Sequence, residues 1–275
     1  MFSSLIYQIF SQLAVGGLIA VLLVPPSAGK SFFRFCGITC LILLILALWA
    51  GPYPLALVGD FLTSASTGHA LSLTLLILTG ALALGFVIAV VAERQPLQKP
   101  LLAGAGLLGA AGILIDGFHG VPVDMPAFAP LLGALYSLVS ALFLGSVIFA
   151  MILGHWYLVV PTLPIHPLRS LTLAVVVTTL LKVLLAGLTF YLFWTAGGLQ
   201  AREVLRSFFG VGGIFFWTRV LFGLIGPTAV AYMTWETVKI NSTQSATGLL
   251  YVATIFVLIG ETTSRYIFYT TSIPL

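Results

Sequence analysis

Two ionisable residues lie four positions apart in the mostly apolar run 248–270. Glu261 and Arg265 therefore share one face of a predicted helix. A charge held inside a bilayer costs at least about 2.5 to 3.5 kcal/mol unless it is paired or hydrated. The pair predicts either an ion pair within the helix that only holds neighbouring helices together, or a polar site for a membrane-soluble ligand.

The same two alternatives apply to ionisable residues in or beside other apolar runs. These residues are Lys182, Arg219, Asp116, His119 and His69. Carboxylates and imidazoles can accept protons, whereas arginine and lysine donate hydrogen bonds to carbonyl oxygens. Whether the groups can act together depends on the segments that position them.

The composition excludes a soluble globular chain. Hydrophobic residues make up 60% of the 275 residues and charged residues only 7%, whereas soluble chains carry about 25% charged residues. Apolar runs and short connectors fill the sequence, which predicts one integral-membrane helical domain over residues 1–275. The net charge of +4 is attributed to basic loops of a membrane chain, so no nucleic-acid partner is expected.

Eight apolar runs are long enough to cross a bilayer, which predicts an all-α bundle of eight transmembrane helices. The first run has no basic flank or clear cleavage site, so we interpret it as a retained helix. Within it, the small and polar residues Gln8, Gln12, Gly16 and Gly17 predict a close contact with a neighbouring helix. The predicted spans are 5–24, 35–58, 71–91, a short fourth at 101–115, 129–160, 170–194, 211–235 and 249–269.

Basic residues indicate the orientation, because Lys and Arg are kept in cytoplasmic loops. The loops after odd-numbered spans carry Lys30, Arg34, Arg94, Lys99, Arg169 and Lys239. Those loops are predicted to be inside, and both termini are predicted to be extracytoplasmic. On the opposite side, only Arg202 and Arg206 depart from this pattern.

The candidate residues are then expected to meet in the outer half of the membrane. At 1.5 Å per residue, Arg219 and Glu261 each lie about 12 Å below the outer boundary and Arg265 about 6 Å below it. Lys182 is expected slightly deeper, with Asp116 and the two histidines at the outer rim. Such a set suits a quinol, which needs a proton acceptor, a hydrogen-bond donor and an apolar slot for its ring and tail. A solvated or structural role is the alternative for each histidine.

A second, weaker constellation lies at the inner end of the fifth span, where His155 and Trp156 precede a proline-rich loop. Aromatic residues at a membrane interface are typical of a structural boundary. The alternatives are a second proton or quinone site, or a b-type haem bound by His155. Haem b is disfavoured, because His69 and His119 lie at the opposite side and His166 lies in the proline-broken loop.

Other kinds of chemistry find no support in the sequence. No nucleophile–base set, zinc motif or phosphate-binding loop is present, so neither catalytic residues nor metal ligands are assigned. Cys36 and Cys40 lack Cys-x-x-Cys spacing and cannot hold an iron–sulfur cluster alone, so we interpret them as packing residues. Chemistry on a water-soluble substrate would require another subunit.

Three short segments resemble a known family of membrane subunits. They are FSQLAVGGLI at 10–19, WTRVLFGLIGP at 217–227 and GETTSRYIFY at 260–269. They resemble the membrane anchor of dimethyl sulfoxide reductase and, more distantly, the polysulfide-reductase type anchors of complex iron–sulfur molybdoenzymes. The resemblance supports a site role for Arg219, Glu261 and Arg265. The family's histidine near the outer end of helix two has no counterpart at 49–58, since His69 comes later.

The resemblance implies an anchor in a bacterial or archaeal cytoplasmic membrane that exchanges electrons between menaquinol or ubiquinol and an iron–sulfur subunit. A molybdopterin catalytic subunit would complete the complex on the extracytoplasmic face. Iron–sulfur clusters and molybdopterin are thus expected only in partner subunits. The residues leave open two other functions, a haem-carrying cytochrome b subunit and a small-solute transporter, and the transporter is disfavoured by the lack of an evident internal repeat.

Overall fold

The computed structural model describes residues 2–51, 67–122, 124–160, 163–210 and 213–275. Within these ranges eight helices are long and apolar enough to cross a membrane, which confirms the predicted all-α multi-pass bundle. A ninth, short helix is polar. In chain order the helices are α1 Phe2–Leu22, α2 Lys30–Ala50, α3 Thr67–Val91, α4 Gln95–His119, α5 Ala129–Val159, α6 His166–Ala196, the short α7 Gly198–Ser207, α8 Ile214–Lys239 and α9 Thr243–Thr271.

The fourth helix is longer than the sequence predicted. It starts at Gln95 and not at 101, because neither of its prolines interrupts it. Pro96 occupies the first turn, where its missing N–H would have no intrahelical partner, and Pro100 lies only one turn further along. Helices α6 and α9 also begin earlier than predicted. The predicted end of the second span and the predicted start of the seventh lie outside the described residues.

Helices α1 and α5 form the centre of the bundle. In the most apolar 18-residue stretch of each, 72% and 67% of the stretch is buried, against 28–44% in the other six long helices. Where they cross, a Cβ atom added to Gly16 would lie 1.8 Å from the Ala141 carbonyl oxygen, and one added to Gly145 would lie 2.0 Å from Gly16. Only glycine permits this approach, so the predicted close contact of α1 is confirmed.

Consecutive long helices alternate in direction and create two distinct ends of the bundle. The starts of α1 and α3 meet the ends of α4 and α9 around His69, which we call the His69 end. The starts of α2 and α4 meet the end of α3 around Lys30, which we call the Lys30 end. The even number of crossings leaves both chain termini at the His69 end.

The short helix α7 lies at the His69 end and closes the end of α6. Arg202 donates hydrogen bonds to the carbonyl oxygens of Trp194 (2.7 Å) and Thr195 (2.8 Å). These carbonyls belong to the last turn of α6, where no intrahelical donor is available. The guanidinium carbon of Arg206 lies 5.8 Å from the centre of the Trp194 ring. Both basic residues that depart from the loop-charge pattern therefore have local structural partners.

Candidate functional site

Three charged side chains from α6, α8 and α9 meet inside the bundle and form what we call the buried ion cluster. Glu261 Oε2 lies 3.1 Å from Lys182 Nζ, and Glu261 Oε1 lies 3.3 Å from Arg219 Nη1. All three side chains are at most 1% exposed. Glu261 lies about ten residues, or about 15 Å, from the end of α9. The structure thus confirms that these residues meet in the half of the bundle nearer the His69 end.

Helix α5 supplies the polar wall of the cluster. Arg219 Nη2 donates a hydrogen bond of 2.8 Å to the Tyr136 hydroxyl. Lys182 donates to the Ser140 hydroxyl, and its ammonium nitrogen lies 3.6 Å from the centre of the Tyr136 ring. Tyr136 and Ser140 stand four residues apart and so share one face of α5. Each cation therefore has a hydrogen-bond acceptor besides the Glu261 carboxylate.

Two glycines let α8 and α9 close around the cluster. A Cβ atom on Gly223 would lie 2.1 Å from Arg219 Nη1, and one on Gly260 would lie 2.2 Å from the Gly223 Cα atom. Gly223 belongs to a π-helical segment, Leu221–Ile225, which interrupts α8. This segment directly follows the seven-residue stretch that contains Arg219. Such π-bulges are frequent at functional sites. Here the bulge and the two glycines allow the guanidinium to lie between tightly packed backbones.

Arg265 extends the polar network toward α1. Its Nη2 atom donates a hydrogen bond of 2.8 Å to Gln12 Oε1, and the side chain is only 3% exposed. Glu261 forms its ion pairs with Lys182 of α6 and Arg219 of α8. The ion pair within α9, which was one alternative from the sequence, is therefore wrong. Three basic side chains and one carboxylate in this region leave a formal charge of +2 when all are ionised. Such buried charges are costly and mark functional sites by default.

The remaining predicted site residues line a separate cavity at the His69 end. This His69 cavity has a volume of about 230 Å³. The Nδ1 atom of His69 lies 3.7 Å from Asp116 Oδ1, and the His69 and His119 ring centres are 6.3 Å apart. The other lining residues are Ser4, Tyr7, Gln8, Gly120, Phe268 and Tyr269. Imidazole, carboxylate and aromatic groups thus face one small space.

The cavity lies directly over the polar network. Gln8 lines the cavity, and Gln12 lies one helical turn deeper on the same face of α1. On α9, Phe268 lines the cavity and Arg265 lies about 5 Å further into the bundle. The Oε1 atom of Gln8 is buried and has no hydrogen-bond partner in the described part of the chain. The unsatisfied amide oxygen of Gln8 therefore lies beside the cavity, one turn above Gln12.

The structure thus divides the seven predicted residues into two adjoining groups. Lys182 and Arg219 each contact Glu261, and Arg265 is linked to α1. The other three surround the cavity. Sequence reasoning missed the contribution of α5 (Tyr136 and Ser140) and of the two glutamines of α1. The glutamines carried a usable signal, since amide side chains in an apolar span tend to hydrogen-bond across helices.

The residues of the weaker second constellation have structural partners at the Lys30 end. His155 Nδ1 lies 3.0 Å from the Tyr251 hydroxyl. Trp156 Nε1 donates a hydrogen bond of 3.2 Å to the Ala28 carbonyl oxygen and packs edge-on against Phe32. Trp156 therefore links α5 to the connection between α1 and α2. Both cysteines, Cys36 and Cys40, are buried in the core.

Together, the fold and the site define a multi-pass helical membrane protein with an ion network inside the bundle and a small polar cavity at one end. No protein-family model matches the chain, and no curated protein matches it. Among the described residues, no three His, Cys, Asp or Glu side chains come together in a group that could hold a metal ion.

Proposed function

We propose that this chain is the quinone-reactive membrane anchor of a multi-subunit respiratory oxidoreductase. The observation that carries the proposal is the His69 cavity, which two histidines and Gln8 line directly above the buried ion cluster. Its volume of about 230 Å³ lies below the roughly 300–1,000 Å³ of sites that bury a whole drug-sized ligand. It suits a quinone ring whose isoprenoid tail extends between helices.

The segments that carry the family resemblance support the proposal, because they converge in space. Gln12 of the first segment binds Arg265 of the third, and Arg219 of the second pairs with Glu261 of the third. The three segments therefore contribute to one connected polar network, as expected if they belong to a single site.

The cavity offers the groups that quinol oxidation needs. Oxidation of a quinol releases two electrons and two protons. The imidazoles of His69 and His119 accept the protons and pass them to water at the His69 end, while Asp116 beside Nδ1 orients the His69 ring. An iron–sulfur cluster of a partner subunit would accept the two electrons. In the direction of quinone reduction, the same imidazoles donate the protons.

The buried ion cluster then acts as the support of the site. It fixes α6, α8 and α9 relative to α5, and Arg265 fixes α1 through Gln12, so the cavity floor is held by charged hydrogen bonds. Such rigid support is what a site for a small polar ring requires. Lys182, Arg219, Glu261 and Arg265 would thus position the cavity, and the lining residues His69, His119 and Gln8 would lie nearest the ring.

The distribution of basic residues orients this arrangement. The Lys30 end carries the basic loops and would face the cytoplasm, which places both termini and the His69 cavity at the extracytoplasmic face. An iron–sulfur subunit with its molybdopterin enzyme would dock at that face, close enough for electron transfer from the cavity. The membrane would be the cytoplasmic membrane of a bacterium or archaeon, with menaquinone or ubiquinone as the bound substrate.

Equilibrium binding of a fluorescent quinol analogue, 2-heptyl-4-hydroxyquinoline N-oxide, to the purified chain tests the proposal. His69→Ala and His119→Ala should each weaken binding at least about fivefold, since a lost hydrogen bond in a buried site costs about 1 kcal/mol or more. His166→Ala at the Lys30 end is the matched control and should leave the affinity unchanged. Unaltered binding in both cavity variants, with unchanged thermal unfolding, would refute the assignment of the His69 cavity as a quinone site.

A second function, small-solute or proton transport, is favoured by one observation. Lys182, Arg219 and Glu261 are fully buried at mid-membrane depth, where ionisable residues often form ion pathways or proton relays. A proton flux in proteoliposomes that contain only this chain, lost in Lys182→Met, would favour transport. Absence of flux together with analogue binding favours the quinone-reactive anchor.

A further inference from the structure

A second cavity lies beside basic residues at the Lys30 end, away from the proposed quinone site. It has a volume of about 380 Å³ and is formed by the starts of α2 and α4 and the end of α3. Lys30, Lys99, Gln95 and Gln98 line it, together with Glu93. Arg34 and Arg94 are exposed nearby in the same helix starts and connections. The local charge is thus positive even after Glu93 is counted.

Helix polarity adds to this positive potential. Helix α2 begins beside the cavity and has no side-chain cap at its first turn. The start of α4 adds little, because the N–H groups of Gln95 and Leu97 already donate to the carbonyl oxygens of Glu93 and Arg94. Helix starts favour anions, because their first N–H groups have no intrahelical acceptors. Glu93 pairs with Lys30 Nζ at 2.8 Å, so the two charges offset each other and the net positive charge comes from Lys99 with the nearby Arg34 and Arg94.

An apolar groove continues from the same cavity. It shares Phe33, Gln98 and Lys99 with the cavity and extends between α1, α3 and α4 to Val21, Phe86 and Leu102. Its volume of about 40 Å³ has room for about three water-sized groups, and hence for the first methylene groups of a hydrocarbon chain. A polar, positive chamber that opens into a narrow apolar groove has the form of a headgroup site with an adjoining acyl chain.

We propose that this cavity is a binding site for an anionic phospholipid. Lys30 and Lys99 hold the phosphate, Gln95 and Gln98 donate to its oxygens or to the headgroup hydroxyls, and the groove takes the start of one acyl chain. Basic pockets between membrane helices at the cytoplasmic side suit anionic lipid headgroups. The groove distinguishes a lipid from a soluble anion, which would gain nothing from apolar contact. The site is independent of the proposed quinone function.

Native mass spectrometry of the full chain, released from nanodiscs with equal phosphatidylglycerol and phosphatidylcholine, tests the proposal. Phosphatidylglycerol should be retained preferentially. Lys30→Gln and Lys99→Gln should each reduce that preference about fivefold, which corresponds to the contribution of one lysine near an anionic lipid surface. Glu93→Gln should increase the preference, because it removes the one negative charge in the cavity wall.

Lys239→Gln provides the matched control, because Lys239 is an exposed lysine at the same end, paired with Glu236 at 2.7 Å. This variant should leave lipid retention unchanged. Equal retention of the two lipids, or equal losses in Lys99→Gln and Lys239→Gln, would overturn the proposal. Displacement of phosphatidylglycerol by excess inorganic phosphate would also overturn it, since it would identify a soluble-anion site that makes no use of the groove.

Discussion

Glu261→Gln removes the only carboxylate of the buried ion cluster while keeping nearly the same side-chain shape. Glu261 contacts Lys182 at 3.1 Å and Arg219 at 3.3 Å, and all three side chains are at most 1% exposed. Removing one member of a buried ion pair costs about 3–5 kcal/mol, because the remaining charge stays buried without compensation. Here two cations lose their counter-charge, so we expect a loss of stability in that range at least.

Thermal unfolding of the purified protein in detergent measures this loss. At about 2–4 °C per kcal/mol for a chain of this size class, the midpoint should fall by about 6–20 °C. The control is Glu236→Gln, the same substitution in the exposed pair with Lys239, where the loss should stay below about 1 kcal/mol. Equal shifts in the two variants would refute the account of the cluster.

A double substitution separates the ion pair from simple misfolding. Lys182→Met together with Glu261→Gln removes one positive and one negative charge, so fewer charges are left without partners. The two changes should therefore be less destabilising together than the sum of the single changes, with a coupling of about 0.5–3 kcal/mol. Strict additivity would mean that the contact between the two side chains contributes nothing to stability.

Three further outcomes follow from local geometry. Gly260→Ala should lower the unfolding midpoint, since its Cβ atom would lie 2.2 Å from the backbone of α8, whereas Gly187→Ala meets nothing within 4 Å and should be neutral or stabilising. Arg202→Gln should speed hydrogen exchange in α7 and the last turn of α6, because it removes two hydrogen bonds to that turn. Unchanged exchange would show that Arg202 does not stabilise the end of α6. The hydrogen bond from Lys30 lowers the pKa of the Glu93 carboxyl. Its stabilisation is therefore present at neutral pH and lost as the pH falls through that lowered pKa, and Lys30→Gln should return the carboxyl titration, followed by NMR, to its ordinary range.

Much of the fold could be predicted because the bilayer imposes a simple rule on sequence. A helix must carry about twenty apolar residues to cross, so α3 and α5 were placed within a few residues of their observed ends. Helix α4 was underestimated because its prolines were taken as boundaries, although the first turn of a helix tolerates proline. Helix α7 was missed because a polar ten-residue helix at the surface gives no hydropathy signal.

The candidate site could be predicted only in part, for a physical reason. Burial cost identifies a charge within an apolar span, so Lys182, Arg219 and Glu261 were recognisable from sequence. The partner of each charge depends on helix packing, which periodicity does not specify. Glu261 was therefore compared with Arg265 on its own helix, while its partners lie on α6 and α8.

The cavity shared by the two histidines could not be predicted from sequence. His69 and His119 were placed at the outer rim by their positions near predicted helix ends. Their common cavity depends on how α1 and α9 close over α3 and α4, which no local pattern encodes. Gln8, which gives the cavity its unsatisfied amide, appeared from sequence only as a small polar feature of the first span.

Photo-crosslinking with an azido-quinone tests the central claim most directly, because it reports where the ring binds. Reconstituted protein would be illuminated with the probe, digested and mapped by mass spectrometry. The account predicts labelling at the start of α1, the start of α3 and the ends of α4 and α9, with competition by unlabelled quinone. Labelling spread over the lipid-facing surface, or concentrated at the Lys30 end, would contradict it.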